Sequence, residues 1–103
     1  MAGSWIRQEK RQAIYSRDDF TCAYCGRDLS NCGDELTLDH VAARANGGAN
    51  DATNLVTACK SCNSAKQALP LRHFIARIAI ATGQAPADIS GRVNRFRRRV
   101  VRR

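Results

Sequence analysis

Aromatic residues are few in this sequence of 103 residues: one tryptophan, two tyrosines and three phenylalanines. A large ring-filled core is therefore excluded, and a chain this short removes only about 60 to 70% of its unfolded surface from water. The fold needs support beyond apolar packing. No apolar run approaches the roughly 18 residues of a membrane span, and the opening MAGSWIRQEKR lacks the apolar stretch of a secretory signal. The expected location is cytoplasmic. Acids are also scarce, nine against seventeen lysines and arginines, which leaves a net charge of +8. Such a balance suits a polyanionic partner, nucleic acid or an acidic surface.

Repeats are absent, and so is any linker long enough to separate a pair of domains. The expectation is one domain over 1–103: a core of about 17–69, a helix before it, and a basic helical extension over about 72–103. The N-terminal helix is predicted from about Trp5 to Ser16, with Ser4 as its cap. In the centre, ELTLDHV and TNLVTAC predict two short strands around the turn ANGGAND, and CNSAKQAL predicts a helix that stops before Pro70. Further on, Phe74, Ile75, Ile78 and Ala81 form an apolar stripe that Gly83 ends. Pro86 opens a last helix with Ile89, Val93, Phe96 and Val100 at helical spacing and arginines elsewhere. These elements together predict a small α+β protein.

What the chain does have is five cysteines, an odd count that argues against a disulfide framework. Four of them form two tight pairs, Cys22-x-x-Cys25 and Cys59-x-x-Cys62. Each pair brings two thiolates to one ion from a single backbone turn, and together they supply the four sulfurs of a closed structural Zn²⁺ site. Zinc would add folding free energy on the order of 10 kcal/mol, offsetting the thin core. Cys32 belongs to neither pair and is read as a bystander.

The 33 residues between Cys25 and Cys59 hold an adjacent acid and histidine, Asp39 and His40. On a strand, neighbouring side chains leave opposite faces. That suits in-line attack on a phosphodiester, in which water and leaving oxygen lie on opposite sides of phosphorus: Asp39 holds a cation toward the leaving oxygen, and His40 activates water. Asn63, next to Cys62, is the natural second ligand, with Lys66 one turn further on the same face. Two protein ligands leave an octahedral Mg²⁺ shell open for water and phosphate.

CAYCG, LDHV, GG, NLVTACKSCN and Lys66, in this order, resemble the HNH endonucleases of ββα-metal fold, in their four-cysteine zinc subset. The resemblance covers about Arg17 to Leu69. It implies a zinc-stabilised ββα-metal core flanked by N- and C-terminal helices, with His40 as general base and Asp39 and Asn63 as ligands of a catalytic Mg²⁺ or Mn²⁺. It also implies that Asn54 braces the loop bearing the acid and histidine, and that the products carry 5′-phosphate and 3′-hydroxyl ends. Two positions depart from the family's pattern: Asn63 stands where many members carry histidine, and Ala42 and Ala43 stand where a proline often follows the histidine.

DNA is the expected partner. Arg44 and Lys66 are candidates for phosphate contact near the site, and Arg92, Arg95, Arg98, Arg99 and Arg102 for backbone binding, which sets affinity rather than sequence choice. Two other functions draw on some of the same features. The cysteines and arginines alone would make a non-catalytic, zinc-stabilised nucleic-acid binding module. The chain would alternatively serve as a subunit of a larger phage or restriction assembly. A homodimer, or a phage or restriction partner protein, fits either.

Overall fold

Strand, strand, helix is the order around which the chain folds, in a computed structural model that describes residues 7–102. Helix α1 spans Gln8–Arg17, strands β1 and β2 span Leu36–His40 and Leu55–Cys59, and helices α2, α3 and α4 span Lys60–Lys66, Leu71–Thr82 and Pro86–Arg98. The strands pair antiparallel, with Leu36 opposite Cys59 and His40 opposite Leu55. Two strands alone are marginal in water. Here β2 is buried along its whole length, and α1, α2 and α4 all pack on it.

The apolar stripes of α3 and α4 complete this core. Phe74, Ile75 and Ile78 on α3 and Ile89, Val93 and Phe96 on α4 are buried in one cluster with Cys22, Tyr24, Cys59 and Cys62. The C-terminal extension thus shares its core with the cysteine knuckles. Several expected details change. Ser4, Trp5 and Ile6 lie outside the described residues, and α1 runs one residue past Ser16. Helix α2 ends at Lys66, short of Leu69, because Gln67 turns the chain with φ 47°. Ala81 is exposed, and α4 stops at Arg98, so Val100 is left 78% exposed instead of extending the stripe.

A buried ion pair that looks like surface charge in the sequence joins α1 to β2. Arg17 donates from Nε to Asp18 Oδ1 at 2.7 Å and from its terminal nitrogens to the carbonyls of Ala52 and Leu55 at 2.8 and 2.6 Å. Asp18 Oδ2 in turn accepts from the Thr57 amide at 2.8 Å. Breaking such a pair strands a desolvated charge. Arg17→Ala is expected to lower the unfolding free energy by about 3 kcal/mol in urea titration, with the slope unchanged.

Thr57 carries the opposite defect. Its hydroxyl is buried without a hydrogen-bond partner, and an unmade bond of this kind costs about 1 to 3 kcal/mol. Thr57→Val keeps the shape and removes the unpaired group. A small rise in melting temperature is expected by circular dichroism.

Candidate active site and cysteine centre

The cysteine pairs converge. The sulfurs of Cys22, Cys25, Cys59 and Cys62 all lie within 4.8 Å of one another, and Cys25 Sγ is 4.0 Å from Cys59 Sγ. A tetrahedral zinc–thiolate site, with bonds of about 2.3 Å, has sulfur–sulfur edges of about 3.8 Å. The residues present fit that ion. Cys59 also caps α2, its sulfur accepting from the Cys62 amide at 3.4 Å. Hydrogen bonds from Cys22 and then Cys62 hold the Cys25 thiol down to about 3, while contacts with Cys22 and Cys25 push Cys62 up. Crowding of the sulfurs therefore already favours a thiolate at one of them. Cys32 is exposed and outside the cluster.

The second knuckle ends β2 and opens α2, so it sets where Asn63 sits. Both hydrogen bonds of the Asn63 amide nitrogen go to β1, to Thr37 Oγ1 at 3.0 Å and the Leu38 carbonyl at 3.2 Å. Its oxygen is left as the group able to meet a cation. Across from it, Asp39 is buried and reached by Tyr24 and Lys66: the Tyr24 hydroxyl donates a very short hydrogen bond to Oδ2, and the Lys66 ammonium lies 3.1 Å from the same oxygen. Both of these partners sit on Oδ2, on the side of the carboxylate away from Oδ1. Burial raises the carboxyl above its usual range, opposed by Tyr24 and Lys66. Burial and the Asp39 charge raise Tyr24 well above its own range, so it remains a donor.

Asp39, His40, Arg44 and Asn63 line one cleft of about 220 Å³ with Leu38, Ala43, Gln67 and Ala68. Strand alternation predicts opposite faces for Asp39 and His40. The two do diverge, Asp39 toward Tyr24 and Lys66 and His40 toward Asn50, with His40 Nε2 2.7 Å from Asn50 Oδ1. The cleft nevertheless touches both, because the strand ends at His40.

Asn54 stands outside the cleft and ties its loop together. Its amide nitrogen donates to the Ala42 and Ala49 carbonyls at 3.0 and 2.8 Å, and its oxygen accepts from the Ala42 amide at 2.9 Å. Gly48 makes this folding possible, since a Cβ there would fall 1.7 Å from the Ala42 oxygen. No side chain fits at that distance.

Three of the basic candidates already hold protein partners. Lys66 is fully buried, and its ammonium donates to the His40 carbonyl at 2.8 Å as well as pairing with Asp39. It thus ties the carboxylate to the end of β1 from within the core. Arg92 donates to the Ala23 and Tyr24 carbonyls at 3.2 and 3.0 Å and to Gln84, clamping α4 onto the first knuckle. Arg99 bonds the Arg17 carbonyl and Asp19, both at 3.0 Å, and covers the Phe96 ring. Arg95, Arg98 and Arg102 are exposed.

Tyr24 is the site residue that sequence reasoning missed. It sits between two cysteine ligands, its ring edge-on to Phe74 at 5.0 Å, and the only available signal was a phenol placed where the knuckle must face inward. No curated protein matches the chain. A family model described as HNH endonuclease matches residues 22–69. That span takes in both knuckles, both strands and α2, and over it this chain is similar to the HNH endonucleases.

Proposed function

We propose that the protein is a metal-dependent DNA endonuclease that hydrolyses phosphodiester bonds with His40 as general base. The observation that carries this reading is the single cleft touching Asp39, His40 and Asn63 within a family-matched segment. The ligands that the cleft offers a cation are a carboxylate oxygen and an amide oxygen, a hard pair suited to Mg²⁺ or Mn²⁺. Such an ion supplies charge stabilisation at the phosphate and leaving oxygen.

The chain's own residues do the rest. Asp39, fixed by Tyr24 and Lys66, presents one oxygen to the cleft. His40 takes a proton from the attacking water, a step worth about 10² to 10⁴ in rate. Arg44, exposed on the same wall, binds the scissile phosphate. Asn54 keeps the loop bearing His40 folded, and Arg95, Arg98 and Arg102 bind the DNA backbone.

One observation favours the alternative, a binding module that cuts nothing. The Lys66 ammonium beside Asp39 already offsets some of the carboxylate charge, and this weakens its hold on a divalent ion. Supercoiled plasmid incubated with the purified protein and Mg²⁺ or Mn²⁺ separates the two. Nicked or linear product supports the nuclease; a gel shift with the plasmid intact supports the module, and cutting only after a second protein is added supports a subunit role.

A further inference from the structure

Asn50 lies in the connection between the strands, and nothing in the family resemblance gives it a role. Its side-chain oxygen is 2.7 Å from His40 Nε2. With the amide oxygen facing the ring, which only accepts, the matching tautomer is the one with the proton on Nε2 and the acceptor lone pair on Nδ1. Asn50 is itself held on both sides. The Ala49 carbonyl just before it accepts from Asn54 at 2.8 Å, and its own carbonyl accepts a very short bond from the Lys10 ammonium of α1.

We infer that Asn50 is a positioning residue for His40, and that α1, which precedes the family-matched segment, contributes to the site by anchoring Asn50 through Lys10. The inference rests on the reading of His40 as general base. A neutral imidazole has two tautomers, and only one presents its lone pair at a given nitrogen. A fixed acceptor on Nε2 selects that tautomer and the ring orientation together, so the ring meets the attacking water already aligned. The opposite amide orientation would place an N–H against Nε2 and put the ring proton on Nδ1. The two arrangements are thus distinguishable in the imidazole itself.

The test uses the full chain, zinc-loaded, with His73→Gln so that one of its two histidines remains. Long-range proton–nitrogen NMR on the neutral imidazole is expected to show the Nε2–H form in the parent protein and a mixture of tautomers in Asn50→Leu. In plasmid cleavage with Mn²⁺, Asn50→Leu is expected to lower kcat by about 10²-fold with KM unchanged. Asn50→Asp keeps the acceptor and is expected to restore most of the rate, and Lys10→Met to lose some of it while melting as a folded protein. A parent-like tautomer in Asn50→Leu, an unchanged kcat, or a loss that Asn50→Asp does not rescue would overturn the inference. Cleavage by His40→Ala equal to the parent would instead overturn the nuclease reading, and the NMR result would still decide the role of Asn50.

Discussion

Removing the metal from the four-cysteine centre is expected to unfold the protein at room temperature. A structural zinc of this kind contributes on the order of 10 kcal/mol, whereas a small domain has only about 5 to 15 kcal/mol in total. The dependence is steep here because the centre lies within the core: Cys22, Cys59 and Cys62 are buried with Tyr24, Phe74, Ile89 and Val93. Loss of the ion frees both knuckles. The end of β2, the cap of α2 and the carbonyls that Arg92 clamps then lose their anchor together. Far-ultraviolet circular dichroism before and after a strong chelator, with zinc added back, measures the effect. Cys62→Ser should behave like the chelated protein, and Cys32→Ser like the parent, because Cys32 lies outside the cluster. A melting curve indifferent to chelation would show that the sulfurs do not depend on a metal.

His40→Ala is expected to lower plasmid cleavage by about 10² to 10⁴, the usual worth of a positioned general base. Folding should survive, because His40 is only half-buried at the last position of β1 and its carbonyl, which Lys66 binds, remains. DNA binding on a gel should survive as well, since the exposed arginines are untouched. This combination, cutting lost and binding kept, isolates a role in chemistry. Equal cleavage by parent and variant would remove His40 from the mechanism.

Much of this was legible in the sequence, for local reasons. The x-x spacing of the cysteines, the alternation of LTLDH and the helical stripes of α3 and α4 each depend on residues close along the chain, and each formed near its expected place. What escaped depends on partners far away. Nothing local marks Arg17 and Asp18 as buried; their burial follows from β2 being laid beside them. Lys66 was expected near phosphate, and its position four residues after Cys62 puts it on the inward face of α2. Arg92 likewise follows Ile89 by three residues, at the border of the buried stripe, where its stem packs while its head finds carbonyls. Val100 failed for another reason. The repeat continued past Phe96, but the helix ended at Arg98.

Catalysis as proposed turns on one cation seat between β1 and the start of α2. Its most direct measurement is anomalous diffraction from crystals of the zinc-loaded protein soaked in Mn²⁺. A manganese peak within coordinating distance of Asp39 Oδ1 and Asn63 Oδ1, separate from zinc at the four sulfurs, is the predicted result. Crystals from a preparation that cuts DNA with Mn²⁺, yet showing manganese elsewhere and none at that pair, would contradict it.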